Sequence, residues 1–307
     1  MFFEYIYRYF YVQPNLLIYG ANGWIGGMYV DYIKNNHKNI KIKIGKSRVD
    51  DIKSLEEELV LLKPTHVISF IGRTHGIVEN QKINSIDYLE YPGKLVENIQ
   101  DNLYAPVILA QLCVEYNIHY TYIGTGCIFN TDDERDNFVE SDEPNYFGSS
   151  YSIVKGFTDR IMQTYGSNVL NLRIRMPISS IPNERNFITK ITKYSKICSM
   201  DNSMTVLDDF FPIFTKLLEN NSTGTYNCVN PGTINHNEIL YKYQTIVKPE
   251  FTWKNMSIFE QSKLLRCDRS NNLLNTHKIR MEFPDLPNID KSIDMVLNRM
   301  KLLTVEL

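Results

Sequence analysis

The chain has 307 residues, of which 43% are hydrophobic and 22% charged, and its formal net charge is −2. This length suits one large domain or two modest ones sharing a core, and the near-neutral charge without a dense Lys/Arg block excludes the electrostatic footprint of a nucleic-acid binder. The five cysteines, Cys113, Cys127, Cys198, Cys228 and Cys267, are widely spaced and contain no C-x-x-C pair; this points to a reducing, cytoplasmic compartment and against a disulfide framework, and no metal site is expected.

The segment from Met1 to Val12 is strongly aromatic, but Glu4 and Arg8 interrupt it. It is shorter than the ~20 apolar residues of a spanning helix. Residues 1–13 therefore read as an extension packed on the body or on a partner, with interfacial membrane contact as the weaker alternative. Regular structure is expected from Pro14. Asn15 to Tyr19 is an apolar run suited to a buried parallel strand, followed at once by Gly20-Ala21-Asn22-Gly23-Trp24-Ile25-Gly26 and a helically spaced segment from Met28 to Asn35. Strand, glycine turn and helix in this order form a dinucleotide-binding fingerprint. The glycines admit a pyrophosphate close to the backbone, and the helix N-terminus supplies free N–H groups. Gly20, Asn22, Gly23, Trp24, Ile25 and Gly26 are the expected cofactor contacts.

A second strand, Ile40 to Ile44, ends in Gly45-Lys46-Ser47-Arg48, where an NAD-specific protein would place an acid. Ser47 and Arg48 favour a 2′-phosphate and hence NADP(H); the alternative is a solvated basic turn. The G-K-S triplet is not a nucleoside-triphosphate loop, because that pattern needs glycine where Ile40 stands. His66 to Ile71 is the next buried strand. It is closed by Gly72-Arg73-Thr74-His75-Gly76, a turn placed to pass beneath a nicotinamide or line a substrate cleft.

Asp101 to Tyr116 reads as an amphipathic helix with Leu103, Val107, Leu109, Ala110 and Leu112 inward and Cys113 on the same face. Tyr120 to Gly124 is a strand whose carboxyl end carries Thr125 and Cys127, the position at which open α/β sheets bind ligands. Residues 130–148 form a polar, acidic loop. In the next helix Tyr151 and Lys155 share a face, so the ammonium is expected to lower the pKa of the phenol and make it a proton donor for a developing oxyanion. Further strands are expected at Val169–Ile174 and near 224–229, with a small α/β lobe over 251–286. This alternation predicts a Rossmann-like, doubly wound parallel sheet: an NADP-binding domain over 14–175, rejoined by the strand near 224–229, and a smaller substrate lobe over most of 176–307.

G-x-x-G-x-x-G, Thr125 and Y-x-x-x-K together resemble the extended short-chain dehydrogenase/reductases. Longer strings, T-G-C-I-F at Thr125–Phe129, L-R-I-R-M-P-I-S-S at Leu172–Ser180, N-F-I-T-K-I at Asn186–Ile191 and S-M-T-V-L-D at Ser203–Asp208, are similar to the nucleotide-rhamnose synthase/epimerase-reductase family, from about Asn15 to Leu297. The abundance of Asn, Ile, Lys and Tyr is compatible with a giant-virus member. The resemblance implies conversion of UDP-4-keto-6-deoxyglucose to UDP-L-rhamnose with NADPH, in a cytoplasmic homodimer supplied by a separate 4,6-dehydratase. It implies Cys127 as base and Lys190 as acid for epimerisation at C3 and C5. Tyr151, Thr125 and Lys155 would serve the reduction at C4.

Arg73, Asn102, Asn186 and Arg269 are candidates for holding the substrate or its diphosphate, and each could equally be a structural hydrogen-bonder. UDP and dTDP remain open. The competing readings are a nucleotide-sugar 4-reductase, 4-epimerase or 4,6-dehydratase, or a non-catalytic NADP-binding regulator. A dehydratase would carry an acidic pair where Gly126 and Cys127 stand.

Overall fold

The computed structural model describes residues 14–132 and 137–305; the extension assigned to 1–13 lies outside the described residues. Six strands, β1 (Asn15–Tyr19), β2 (Lys41–Ile44), β3 (His66–Ser69), β4 (His119–Thr125), β5 (Val169–Ile174) and β6 (Gly224–Asn227), form one sheet in the order β6-β5-β4-β3-β1-β2. Every neighbouring pair is parallel. Parallel neighbours need crossovers, and helices α1 (Trp24–Asn36), α2 (Ile52–Leu62), α3 (Lys94–Ile99), α4 (Ala105–Glu115), α5 (Ser150–Thr164), α6 (Phe187–Ile191), α7 (Leu207–Glu219) and α8 (His236–Ile246) supply most of them and of the covering layers.

The period of two along β1 divides the core. Leu16 and Ile18 face Tyr29, Ile33, Phe210 and Phe214 of α1 and α7, while Leu17 and Tyr19 face Leu59, Leu109, Cys113 and Met162 of α2, α4 and α5. The chain leaves β1 for β2 on one side and returns to β3 on the other. That reversal opens a crevice at the carboxyl ends of β1 and β3, where doubly wound sheets bind ligands. A third apolar cluster, with Ile188, Ile191, Ile239, Leu240, Ile293 and Leu297, gathers α6, α8 and the helix Ile289–Val305.

The helix expected from Asp101 begins earlier, as α3, and passes through one widened turn of π geometry, Gln100–Tyr104, into α4. Pro106 explains the change. It has no N–H to give the Asn102 carbonyl, which instead accepts a hydrogen bond from Thr158 Oγ1 of α5 at 2.6 Å. The loop expected over 130–148 contributes a short parallel pairing, Asn137–Phe138 with Leu273–Leu274.

Helix α5 is capped by Ser149, whose hydroxyl accepts the Ser152 N–H at 3.0 Å. Its Asp159 is anchored to β5: it accepts from Arg173 Nε at 2.9 Å, Arg173 Nη2 at 2.6 Å and Asn171 Nδ2 at 2.7 Å. Both charged side chains are almost wholly buried. Removing one partner of such a pair strands the other, so Asp159→Ala is expected to cost about 3–5 kcal/mol of stability, read as a lower chemical-denaturation midpoint. An unchanged midpoint would mean that the pair is solvated in solution.

Among the described residues no helix is long and apolar enough to cross a membrane, and no group of three His, Cys, Asp or Glu side chains could hold a metal ion.

Candidate active site

The turn after β1 forms the floor of the crevice. Gly20 has φ +73°, and a Cβ there would lie 2.7 Å from the Phe70 carbonyl carbon; a Cβ on Gly26 would run into the Gly20 carbonyl oxygen. Only glycine lets the turn and the first turn of α1 approach so closely. Gly23 caps α1 without a side-chain hydrogen bond, and no acid stands in its first turn, which leaves N–H groups and the positive dipole end for an anion. Trp24 and Ile25 are half-buried against the core, and Asn22 is exposed. A pocket of about 190 Å³ extends from here, lined by Gly20, Ser47, Arg48, Asp50, Ile71 and Gln100 among others.

Arg48 is not a free cation in that pocket. Its fork pairs with Asp50 through Nε–Oδ1 at 2.9 Å and Nη2–Oδ2 at 3.0 Å. With 76% of the Arg48 side chain exposed, the pair is weak and open to competition from an incoming phosphate. Glu58 fixes the turn before it, accepting from Lys46 N at 2.8 Å, Ser47 N at 3.2 Å and the Tyr19 hydroxyl at 2.8 Å.

Thr125, Cys127 and Tyr151 meet at the carboxyl end of β4. The Cys127 N–H donates to Thr125 Oγ1 at 3.1 Å, the Thr125 hydroxyl also lies against the Tyr151 phenol, and Tyr151 packs with Tyr88, Leu89 and Cys127. The expected lowering of the Tyr151 pKa is not found. Burial, with Cys127 beside it, drives the phenol above its ordinary value and outweighs the Thr125 hydrogen bond. The reason lies in Lys155. Its ammonium donates to the Tyr122 hydroxyl and, at 3.4 Å, to the Ile123 carbonyl, and stands 4.4 Å from the centre of the Tyr122 ring.

Burial pushes Lys155 down to about 7, against the opposing pull of Asp159 and Cys127. The sign of the linkage follows. The unfolded chain holds this proton up to about pH 10.4 and the folded chain gives it up near 7. The cost of burying the charge is therefore absent at high pH, grows as pH falls between those values, and is constant below. Lys155→Met should gain stability relative to the parent as pH is lowered through that window. Parallel melting curves against pH would contradict this.

Several candidates have duties that sequence does not reveal. Asn102 is 1% exposed and clamps the Gly72 turn. Its Oδ1 accepts from Arg73 N at 3.0 Å, and its Nδ2 donates to Arg73 O and Asn98 Oδ1, both at 2.9 Å. Asn186, fully buried, caps α6 by accepting from Ile188 N at 3.2 Å and donates to Ser179 O and Ile181 O. These hydrogen bonds favour the structural alternative for both amides. Arg73 pairs with Asp101 at 2.7 Å, Gly72 lies against the Asn102 amide, and Thr74 is 3.5 Å from His75 Nδ1. His75 Nε2 faces Arg185; burial and that cation hold His75 down at about 4, hence neutral. Arg269 is ion-paired with Asp87 and donates to the Cys267 carbonyl at 2.9 Å.

Lys190 sits half-buried on α6, and no carboxylate pairs with it among the described residues. Burial, then Arg185 and Arg269, lower its pKa. Sequence reading missed Tyr122, Tyr146, Asp159 and Arg175. Of these, Asp159 had a signal: it falls four residues after Lys155 and eight after Tyr151, on the same face of α5.

A parallel Rossmann-like sheet with a glycine turn and a Thr-Tyr-Lys set defines a nucleotide-cofactor protein of the short-chain dehydrogenase/reductase type. Residues 16–197 match the NAD dependent epimerase/dehydratase family, and the chain belongs to it. It is 51% identical over 290 residues to protein L780 of Acanthamoeba polyphaga mimivirus, across 93% of this chain and 98% of that one. The crystal structure of the L780 UDP-rhamnose synthase superposes with a TM-score of 0.89 at 49% identity, covering 94% of this chain and all of that one. A bifunctional dTDP-4-dehydrorhamnose 3,5-epimerase/dTDP-4-dehydrorhamnose reductase of Arabidopsis thaliana is 39% identical over 285 residues, 91% of each chain. A Bacillus anthracis dTDP-4-dehydrorhamnose reductase solved with NADP shares the fold, with a TM-score of 0.77 at 16% identity over 92% of this chain and 98% of that one.

Proposed function

We propose that this chain is a bifunctional 3,5-epimerase/4-keto-reductase that converts UDP-4-keto-6-deoxyglucose to UDP-L-rhamnose with NADPH. The observation that carries the reading is the meeting of Thr125, Cys127 and Tyr151 at the end of β4, with Lys155 one turn further along α5. The rhamnose-forming names of the L780 protein and of the Arabidopsis protein support the substrate class, and L780 favours UDP.

Protons at C3 and C5 are acidic because they lie alpha to the C4 ketone. Cys127 removes them and Lys190 returns protons from the other face. The charge that develops on the C4 oxygen is met by hydrogen bonds from Tyr151 and Thr125, and such preorganised donors are usually the largest catalytic contribution. Tyr151 then gives its proton to that oxygen, and Lys155 restores the charge balance beneath it. Gly20, Gly23 and Gly26 would hold the pyrophosphate, Ser47 and Arg48 the 2′-phosphate, and Gly72 to Thr74 the nicotinamide end. When bound, NADPH supplies the hydride for C4.

A separate 4,6-dehydratase makes the keto sugar. A homodimer through α4 and α5 is supported by the exposed Tyr104, Ile153 and Phe157, and a light-scattering mass of one chain would exclude it.

The test is UDP-4-keto-6-deoxyglucose in heavy water with and without NADPH, followed by NMR. Deuterium entering at C3 and C5 without NADPH, and UDP-rhamnose with it, is the expected result. Reduction without exchange would leave a monofunctional 4-reductase, and no turnover would leave a regulatory module.

A further inference from the structure

Arg175 follows β5 directly and is 1% exposed. Its guanidinium donates from Nη1 to Ser270 Oγ at 3.0 Å, Gly126 O at 3.5 Å and Cys127 Sγ at 3.5 Å, and from Nη2 to Ser270 O at 2.6 Å and to Asn202 Oδ1. Its Nε has no partner at all. Every oxygen it touches belongs to a neutral carbonyl, hydroxyl or amide. The contrast with its neighbours is direct: Arg173, equally buried, is paired with Asp159, and Arg269 with Asp87. A buried cation left without a counter-ion costs several kcal/mol, so the fold is expected to provide one.

The titratable groups facing Cys127 come from four elements: Arg175 after β5, Tyr151 and Lys155 from α5, Tyr146 from the loop before it, and Tyr88 from the segment Ile86–Glu90. Of these, Lys155 is engaged by Tyr122, and Tyr151 and Tyr146 are driven upward by burial. The sulfur is the group best placed to take the negative charge.

We propose that the thiolate of Cys127 is the counter-ion of Arg175, so that Arg175 is a positioning residue that keeps the epimerase base deprotonated before substrate arrives. The inference rests on reading Cys127 as that base. A guanidinium remains charged throughout the physiological range. Because Asn202 and Ser270 hold it from behind, the charge is aimed at the sulfur rather than at solvent.

The test is alkylation of Cys127 in the intact protein by iodoacetamide as a function of pH, read by peptide mass spectrometry with Cys127→Ser as the site control. At neutral pH the parent is expected to be alkylated at Cys127 faster than an ordinary thiol. Arg175→Lys should keep that rate. Arg175→Gln should slow it by about tenfold near neutrality and leave Cys267 unchanged. If Arg175→Gln does not fold, thiolate ultraviolet absorbance of the parent against Cys127→Ser at neutral pH decides. An ordinary thiol rate in the parent, or an unchanged rate in folded Arg175→Gln, overturns the proposal. Fast alkylation without exchange at C3 and C5 would support the ion pair and remove only the epimerase reading.

Discussion

Cys127→Ala is expected to abolish deuterium exchange at C3 and C5 of the keto sugar, a loss of roughly 10²–10⁴-fold, the usual contribution of a positioned base. The side chain is only partly buried, and its contacts are the Tyr88, Leu89 and Tyr151 cluster and the Arg175 fork, so alanine removes one sulfur atom from the cleft wall without opening the core. Coenzyme affinity should stay within a small factor of the parent, stability should fall because Arg175 loses its counter-ion, and the catalytic defect should appear in the NMR exchange rate of the folded variant. With exchange gone, the unepimerised ketone is the only substrate for hydride transfer, so the formation of rhamnose stops as well. Exchange at the parent rate would return Cys127 to the status of a small buried hydrophobe.

Tyr151→Phe is the complementary case. It keeps the ring that packs on Tyr88 and Leu89 and removes only the hydroxyl lying against Thr125. Reduction at C4, followed by loss of NADPH absorbance, should fall by roughly 10²–10⁴-fold because the alkoxide loses its proton donor. Exchange at C3 and C5 should fall less, since Thr125 still donates to the C4 oxygen. The two substitutions thus divide the activity along different lines. If the reduction rate of Tyr151→Phe stayed within tenfold of the parent, the proton would have to come from Thr125 or Tyr122.

The parts of the fold governed by local periodicity were legible. The strands Asn15–Tyr19 and Val169–Ile174 stand where their apolar runs place them, and the glycine turn follows β1 as its spacing requires. The widened turn at Asn102 was not legible, because it depends on Pro106 and on the Thr158 hydroxyl, which is more than fifty residues away. The same limit applies to the site. The position of Thr125 and Cys127 at the carboxyl end of β4 was legible because that end is set by the strand's own apolar run. The hydrogen bonds of Asn102 and Asn186 were not, because a buried amide is assigned by the backbone groups that consume it, and those are tertiary facts. Nor was the direction of the Tyr151 shift, which required knowing that Lys155 turns to Tyr122 and that the phenol is enclosed.

The line Tyr151, Lys155, Asp159 along α5 makes that helix a ruler as well as a scaffold. Each residue advances the helix by roughly 100°, so inserting or deleting one residue between Tyr151 and Asp159 would carry the carboxylate off the cleft face and away from Arg173. Sequence within that span can drift, but its length cannot. Variants of altered length between Tyr151 and Asp159 should therefore lose activity.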